Sequence, residues 1–371
     1  MANIICTVTN DLSYDQRMTR ICTALSEAGH EVVLVGRALS NSPPLQRRPF
    51  AQHRFRLFFN TGKLFYAEYN LRLFFYLLFQ RFDVVNSVDL DTLLPGFLIA
   101  SWRGKTCVYD AHEYFTEVPE VTGRPAVKAA WEFLARLLIP RLRHAYTVCD
   151  SLALVFGKRY GTAFDVIRNV PIKKTPSHAG HVKNNSPFVL LYQGALNEGR
   201  GLEEMIQAML QLPDCELWLA GEGDLSAQLR QMAMELKLPG QVKFLGRLLP
   251  DELAALTPRA HLGLNLLKNI GLNYYYSLAN KAFDYIQAGL PSLNMAFPEY
   301  RSLHEKSGVF YLVDDLEIPT LVQAVEKLKS NRKLYLSLAA HCTSAAKTLH
   351  WDNEKQKLLT FYEQLLSATG K

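Results

Sequence analysis

The most constraining stretch of this 371-residue sequence runs from residue 273 to residue 291 and reads NYYYSLANKAFDYIQAGLP. Ser277 predicts the start of a helix, because a serine hydroxyl can accept a hydrogen bond from a free amide of the first turn. Gly289 and Pro291 predict its end. At 100° per residue, an apolar face lies opposite a polar one. The apolar face holds Leu278, Ala282, Tyr285 and Ile286, and the polar face holds Ser277, Asn280, Lys281, Asp284 and Gln287.

An apolar run from 291 to 297 follows this helix and predicts a buried strand. A helix that leads directly into a buried strand is typical of a parallel sheet. Ligands of such folds bind at the carboxyl edge of the strands, where the helices begin. Two interpretations of the polar face therefore stay open, a solvated surface and a ligand contact.

Length and composition limit the remaining choices. A chain of 371 residues is longer than a single hydrophobic core ordinarily serves, so the length predicts two α/β domains. The hydrophobic content of 49% with 20% charged residues is typical of a globular protein, and the net charge of +6 does not indicate nucleic-acid binding. The six cysteines show no zinc spacing, and no signal peptide or membrane-spanning run is visible. We expect a cytoplasmic protein.

Strands and helices alternate along the chain. The opening predicts a β-α-β unit, with strands at 3–8 and 31–36, and its loop lacks the GxGxxG pattern of dehydrogenases. Further strands are predicted at 83–88, 106–109, 143–148, 165–169, 188–193, 216–220, 242–246 and 262–267. The polar, proline-containing stretch 173–186 predicts a linker.

A glycine-rich loop follows the strand predicted at 188–193. It reads GALNEGRG from Gly194 to Gly201 and leads into a helix. Such a turn places bare amides against anionic oxygens, and Arg200 adds a planar donor fork suited to phosphate. Lys281 is a candidate for a second cation at the same edge.

Several of these segments resemble the retaining GT-B glycosyltransferases of glycosyltransferase family four. The resemblance rests on YYYSLANKAFDYIQAGLP, on GALNEGRG, on VYDAHEYFTEVPE and on the opening unit NDLSYDQRMTRICTALSEAGHEVVLVGR. It implies an α/β GT-B fold in which two Rossmann-like domains face each other across a cleft and the C-terminal helix crosses back to the first. The implied limits are 1–172 plus about 352–371 for the acceptor-side domain and 187–351 for the donor domain.

The resemblance also implies roles for residues on the donor side. Arg200 and Lys281 would stabilise the departing diphosphate, and the remaining residues would bind other parts of the donor. These are Gly194, Gly201 and Ser277 near the phosphates, Asp284 at the ribose, Arg247 beside the base and Tyr276 near the sugar. Tyr276 stands where the family usually has a glutamate, so one sugar-hydroxyl contact is missing or comes from elsewhere.

In the first domain the resemblance assigns His112 to the donor sugar. A hydrogen-bonded structural histidine is the alternative. Four carboxylates and one arginine are acceptor-side candidates, namely Asp11, Asp15, Arg17, Asp110 and Glu113. For Arg17 a surface salt bridge with Asp15 or Asp11 is an equal alternative.

The expected function is transfer of a hexose from a nucleoside-diphosphate sugar to a glycan or lipid-linked acceptor, with retention of anomeric configuration. We expect no cofactor and no metal ion, since Asp89-Leu90-Asp91 spells an Asp-x-Asp motif but comes early in the chain. A sugar-nucleotide 2-epimerase is one alternative, supported by Asp110 and Glu113. A non-catalytic nucleotide-sugar-binding protein is another, suggested by Tyr276.

Residues 47–82 combine seven basic residues and twelve Phe or Tyr with one acid, Glu68. Basic residues beside aromatic ones can hold a protein at an anionic bilayer surface. A core helix over 64–79 is the alternative, and Leu71, Phe74, Phe75 and Leu78 share one side in either case. We expect one packed face and a remainder near the membrane. With the family resemblance, this predicts a bacterial enzyme of polysaccharide biosynthesis, peripheral on the inner face of the membrane.

Overall fold

The computed structural model describes residues 1–13, 15–173 and 187–368. The chain divides into two compact units. Unit 1 comprises Met1–Asn169 and Glu354–Lys371, and unit 2 comprises Val170–Asn353. The predicted linker 173–186 lies outside the described residues except for Lys173.

Unit 1 is built on a sheet of seven strands. In chain order these are β1 (Asn3–Asp11), β2 (Glu31–Ala38), β3 (Ala51–Arg56), β4 (Val84–Val88), β5 (Thr106–Ala111), β6 (His144–Thr147) and β7 (Asp165–Val166). They lie side by side in the order β3-β2-β1-β4-β5-β6-β7, and every described pair is parallel. The central strands are rich in Val and Ile, as expected for strands covered on both faces.

Helices connect these strands. They are α1 (Gln16–Glu27), α2 (Gly62–Phe79), α3 (Leu90–Trp102), α4 (Pro119–Thr122), α5 (Pro125–Leu138) and α6 (Asp150–Tyr160). The last helix of the chain spans Trp351–Ala368, and its residues from Glu354 onward belong to unit 1. There the ring of Phe361 packs against the ring of Tyr146 on β6, with 5.3 Å between the centroids.

Unit 2 repeats the plan with six parallel strands. These are β8 (Phe188–Gln193), β9 (Cys215–Ala220), β10 (Val242–Gly246), β11 (Leu262–Asn265), β12 (Ser292–Met295) and β13 (Phe310–Val313), in the order β10-β9-β8-β11-β12-β13. The helices are α7 (Leu202–Ala208), α8 (Ser226–Glu235), α9 (Pro250–Leu256), α10 (Leu272–Tyr275), α11 (Asn280–Gln287), α12 (Pro298–Ser307), α13 (Ile318–Ser330) and α14 (Arg332–Ala345). The helix at the C-terminus, Trp351–Ala368, is α15.

The helix that organises the sequence begins later than expected. Ser277 does not cap it, because its hydroxyl donates to the carbonyl of Tyr274 at 2.9 Å and closes the end of α10 instead. Helix α11 starts at Asn280, and its preceding residue Ala279 donates its amide to the hydroxyl of Tyr300 at 2.9 Å. Gly289 ends the helix in the left-handed region, at φ 64°, as predicted.

Helix α2 packs one apolar stripe and exposes another. Its buried stripe consists of Phe65, Tyr69, Leu73 and Leu77, which lie over β1–β4. Leu71 and Phe75, on the side that the sequence singled out, are 59% and 49% exposed. Periodicity could not decide which stripe packs, because both sides of the helix are apolar. None of the helices within the described residues is long and apolar enough to span a membrane.

Candidate functional site

The carboxyl edge of the unit 2 sheet holds a buried cation. Lys281 lies in the first turn of α11, and only 9% of its surface is exposed. Its Nζ lies 4.1 Å from the ring centroid of Tyr192, near the end of β8. The next loop brings Gly194 so close that a Cβ on this glycine would lie 3.4 Å from Lys281 Cε. The lysine amine therefore points at the loop that follows β8, and the interpretation of a solvated polar face is wrong for Lys281.

The charged form of Lys281 is destabilised in the free protein. Burial lowers the pKa of Lys281 well below its ordinary value, and the nearby charge of Arg200 lowers it further. Asp284 opposes this shift, but among the described residues Lys281 forms no salt bridge. A buried ammonium beside another cation is stabilised strongly by a bound anion, which is the arrangement that a phosphate site requires.

Arg200 lies in the same loop, two residues before the start of α7. Its guanidinium carbon lies 4.7 Å from the ring centroid of Tyr274, and its Nε is buried without a hydrogen-bond partner. The arginine is thus held over an aromatic ring by a cation–π contact while its charge stays uncompensated. Within the described residues neither Arg200 nor Lys281 forms an ion pair, although the carboxylate of Asp284 lies near enough to raise the pKa of Lys281.

A polar chain fixes the carboxylate of Asp284 beside these cations. Asp284 Oδ2 accepts a hydrogen bond of 2.9 Å from Gln193 Nε2, at the end of β8. Gln193 Oε1 in turn accepts from the hydroxyl of Thr257 at 3.0 Å. Since Gln193 and Thr257 are buried, the chain holds Asp284 in one orientation at the carboxyl edge.

In unit 1 the corresponding edge carries His112, just after β5. Its Nε2 accepts a hydrogen bond of 2.8 Å from Arg17 Nε and lies 2.9 Å from Asp110 Oδ2. Arg17 Nη2 also lies 3.1 Å from Asp110 Oδ1, and the Asp110 side chain is completely buried. A neutral Nε2 accepts from Arg17, whereas a protonated Nε2 donates to Asp110, so the two partners serve different protonation states.

In this cluster, neighbouring charges shift the pKa values of Asp110 and His112 in the direction opposite to the effect of burial. Burial favours a raised pKa for Asp110, but the charges of His112 and Arg17 outweigh it and the pKa of this carboxyl is lowered. Burial likewise lowers the pKa of His112, and the carboxylate of Asp110 more than restores it, so this pKa is raised. The cluster therefore favours an ionised Asp110 and a protonated imidazole.

Asp89 supports the histidine from the end of β4. Its Oδ1 accepts a hydrogen bond of 2.9 Å from the backbone amide of His112, and its own amide donates to the Asp110 carbonyl at 2.9 Å. The backbone of Asp89 lies in the left-handed region, at φ 55°, which is uncommon for a residue other than glycine. Burial raises the pKa of Asp89 to about 8. Asp89 thus fixes both residues that flank Ala111.

Comparison with protein families covers most of the chain. Residues 16–171 match the family model described as Glycosyltransferase Family 4, and residues 173–347 match the one described as Glycosyl transferases group 1. The chain belongs to the family 4, group 1 glycosyltransferases. None of the curated protein sequences matches this glycosyltransferase at a significant level.

Solved structures confirm the GT-B fold of this glycosyltransferase. Sucrose-phosphate synthase from Thermosynechococcus elongatus matches with a TM-score of 0.81 at 15% identity, over 99% of this chain and 100% of that one. HepE from Anabaena, in complex with UDP-glucose, matches with a TM-score of 0.73 at 16% identity, over 98% of this chain and 100% of that one. WaaG, a glycosyltransferase involved in lipopolysaccharide biosynthesis, matches with a TM-score of 0.69 at 16% identity, over 96% of this chain and 98% of that one.

The other predicted donor residues differ in burial and in the contacts they make. Gly201 has φ 65°, and a Cβ there would lie 2.5 Å from the Leu266 carbonyl, so close packing explains this glycine. Arg247 follows β10 and is exposed. Tyr276 is half-buried, with its ring 5.0 Å from that of Tyr275. The hydroxyl of Ser277 is engaged with Tyr274, and the residue stands three positions before α11.

The acceptor-side candidates also have specific partners. Arg17 is buried, so the alternative of a surface salt bridge with Asp15 or Asp11 is wrong. Asp15 caps α1 by accepting from the Met18 amide at 2.9 Å. Asp11 accepts from the Ser13 amide at 3.0 Å and pairs with Arg54 at 3.6 Å. Asp15 is thus used by its own helix, and Asp11 by its own loop and by Arg54 of β3.

Asp110 and Glu113 do not form a pair around one ligand. Asp110 is completely buried against Arg17, while Glu113 is exposed. This arrangement removes the geometric support that the two residues gave to an epimerase. Asp91 also has a structural partner, since its carboxylate accepts a hydrogen bond of 2.6 Å from the Thr9 hydroxyl.

Sequence reasoning missed three residues that shape the site. Tyr192 and Gln193 end β8 and contact Lys281 and Asp284, respectively. They were read only as buried strand residues, although a polar Gln at a strand end is a recognisable signal. Asp89 was considered only as part of a metal motif, and its contact with the amide of His112 depends on the neighbouring strand.

Proposed function

We propose that this glycosyltransferase transfers a hexose from a nucleoside-diphosphate sugar to a glycan or lipid-linked acceptor, without a metal ion and with retention of anomeric configuration. The single observation that carries the proposal is the pair of cations at the carboxyl edge of unit 2. Lys281 is buried beside Gly194, and Arg200 lowers its pKa, yet neither cation forms an ion pair among the described residues. A diphosphate supplies the missing charge.

The reaction explains why the cations are needed. The acceptor oxygen forms the new bond to the anomeric carbon on the face that the diphosphate leaves, the bond from that carbon to the diphosphate breaks, and the hydroxyl proton passes to an oxygen of the departing diphosphate. Negative charge then grows on the departing diphosphate. Arg200 and Lys281 are fixed near that charge before the reaction, so stabilising it requires little reorganisation.

The other assignments follow from the chemistry of each side chain. Asp284 is oriented by Gln193 and would accept hydrogen bonds from the ribose hydroxyls. Arg247, exposed after β10, would lie beside the base. His112 would contact a sugar hydroxyl, with its protonation state set by Asp110 and Arg17. HepE binds UDP-glucose, which supports a nucleotide sugar as donor, and WaaG acts in lipopolysaccharide biosynthesis, which supports a glycan or lipid-linked acceptor.

Ligand-induced thermal stabilisation tests the donor site. We expect UDP or GDP, or one of their sugars, to raise the Tm of the wild-type protein as RT ln(1 + [L]/Kd) requires. Lys281→Met and Arg200→Met should each abolish most of this shift. Lys327→Met is a matched control, since Lys327 also lies over a tyrosine ring in unit 2, 5.6 Å from the centroid of Tyr311. An unchanged shift in both site variants would contradict the phosphate assignment.

Product analysis tests the reaction itself. With donor and an acceptor glycan, we expect a glycoside that retains the donor's anomeric configuration, formed equally well after treatment with a chelator. Activity that is lost to the chelator and restored by manganese would refute the metal-free part of the proposal. Incubation with donor alone distinguishes the epimerase, which would yield an isomeric nucleotide sugar instead of free nucleotide.

A further inference from the structure

Unit 1 carries an unusual concentration of exposed apolar side chains on three helices that lie side by side. Helices α2 and α3 are joined by hydrogen bonds at both ends of α3. At its start, the Asn70 side-chain amide donates to the Asp91 carbonyl at 2.9 Å, and just after its end Arg103 donates to the Gln80 carbonyl at 2.6 Å. The ring of Tyr66 on α2 meets that of Trp131 on α5, with 5.3 Å between the centroids. The outer sides of these helices therefore form one surface, called here the α2–α3–α5 face.

Large apolar residues recur along this face. The most exposed are Phe79 on α2 at 79%, Trp102 on α3 at 74% and Phe133 on α5 at 69%. On α2 they form a stripe at helical spacing, Leu64, Leu71, Phe75 and Phe79. Apolar patches of this extent on a soluble protein mark interaction sites. Phe79 and Trp102 both end their helices, so the face is most apolar where those helices terminate.

Positive charge accompanies the apolar surface. The three helices and the residues that lead to the next strand (62–83, 90–105 and 125–143) hold nine Lys or Arg and four Asp or Glu. These segments thus carry a net charge of +5 out of the +6 of the whole chain. One of the acids, Asp91, is buried, whereas Arg81, Arg141 and Arg143 are exposed near the helix ends.

A basic cavity opens at the same end of the face. It has a volume of about 430 Å³ and lies between the last turns of α3 and the start of β6. Phe97 and Ser101 line it from α3, Arg141 and Arg143 contribute positive charge, and Lys105, also in the lining, pairs with Asp83 at 3.0 Å. Its size and charge suit the phosphate of a lipid headgroup, with apolar side chains beside it for the acyl region.

We propose that the α2–α3–α5 face binds an anionic lipid bilayer. Exposed Phe and Trp insert at the boundary between headgroups and acyl chains, and the surrounding Arg and Lys attract the anionic headgroups. A second copy of the chain is a poorer occupant, because a two-fold interface would bring the same positive segments together. This surface differs from the sequence expectation for 47–82, because α3 and α5 take part and the basic residues of β3 are not needed. The proposal does not depend on the transfer chemistry.

Vesicle co-sedimentation of the full-length protein tests it. We expect binding to vesicles of equimolar phosphatidylcholine and phosphatidylglycerol, weak binding to phosphatidylcholine alone, and release by raised salt. Arg141→Glu/Arg143→Glu should raise the lipid concentration for half-maximal binding about 30-fold or more, since each basic residue near the surface contributes substantially. Phe79→Ser/Trp102→Ser should also release the protein, because it removes the inserted rings.

The control removes apolar residues elsewhere. Leu210 and Met234 in unit 2 are 54% and 63% exposed, so Leu210→Ser/Met234→Ser lowers surface hydrophobicity without touching the face. This variant should bind vesicles like the wild type. Three results would overturn the proposal: no binding of the wild type, equal binding of all variants, or a dimer in solution that Phe79→Ser/Trp102→Ser dissociates. UDP-induced thermal stabilisation of these variants should stay normal, which separates this surface from the donor site.

Discussion

Arg17 and Asp110 form a buried ion pair in unit 1, with 3.1 Å between Nη2 and Oδ1 and at most 5% of either side chain exposed. The two residues come from α1 and β5, which are distant in sequence. The pair holds His112, so its integrity matters for both stability and activity.

Replacing Arg17 should lower the stability of the folded chain. Arg17→Met leaves the carboxylate of Asp110 without its guanidinium partner, and we expect a loss of about 3–5 kcal/mol in the free energy of unfolding. Urea denaturation measures this. Arg17→Met/Asp110→Asn should recover part of the loss, because the double variant buries no unpaired charge. The exposed pair Arg136–Glu132 is the control, and Arg136→Met should change stability by less than ~1 kcal/mol.

Asp89 should give stability a specific pH dependence. Its pKa is raised to about 8 when folded, so the folded chain retains a proton that the unfolded chain has already released. The stabilisation is complete below the unfolded pKa and is lost as the pH rises toward about 8. Asp89→Asn keeps the acceptor for the His112 amide and cannot ionise, so its stability should fall less between about pH 5 and about pH 9. Parallel denaturation curves for both proteins would contradict this assignment.

Donor binding should be linked to proton uptake. The pKa of Lys281 lies well below its ordinary value in the free protein, and a bound diphosphate raises it again. Above the free pKa, binding therefore takes up a proton, and the affinity for UDP should fall as the pH rises. Calorimetry in buffers with different ionisation enthalpies measures the uptake. The uptake should be smaller in Lys281→Met, and an identical value in that variant would assign the proton to another group.

Gly201 should tolerate no side chain. A Cβ there would lie 2.5 Å from the carbonyl oxygen of Leu266, and the residue sits at φ 65°. Gly201→Ala should lower the free energy of unfolding by about 1–3 kcal/mol through this clash and the strained backbone. Gly240→Ala is the matched control, since nothing lies within 4 Å of a Cβ at that position and its φ is not positive. Equal stability of the two variants would show that the loop can move away from β11.

His112 should matter for turnover more than for donor binding. We expect His112→Gln to lower kcat about 100-fold or more while the Kd for UDP stays within about threefold, because the proposed phosphate site lies in unit 2. Steady-state kinetics and calorimetry measure the two quantities. A large loss of UDP affinity with normal kcat would assign the histidine to binding instead.

Much of the fold could be predicted from the sequence. Strands β8 and β10 have the predicted limits because short apolar runs define them locally, bounded by Pro187 and Gly194 for β8 and by Gly240 and Gly246 for β10. Strand β3 was missed, since its residues AQHRFR alternate weakly and are defined mainly by pairing with β2. The N-cap of α11 is Ala279, two residues later than predicted, because the hydroxyl of Ser277 donates to the carbonyl of Tyr274 instead.

The sequence predicts candidate residues for the site but not their contacts. The pattern of the loop and helix identified Arg200, Lys281 and Asp284, which the structure brings to one edge. The partners of Arg17 and Asp89 could not be read from the sequence, because parallel strands join residues that are far apart along the chain. No local pattern distinguishes a carboxylate that caps a helix, such as Asp15, from one that is free for a substrate.

The burial of Lys281 has a consequence for the life of the protein in a cell. The ammonium is stripped of most of its water during folding, so the unliganded chain carries a destabilising group that a bound anion relieves. Under the proposed function, supply of the anion stabilises the folded chain, and starvation for it favours unfolding and degradation. We therefore expect the cellular abundance of this enzyme to follow the level of its proposed donor.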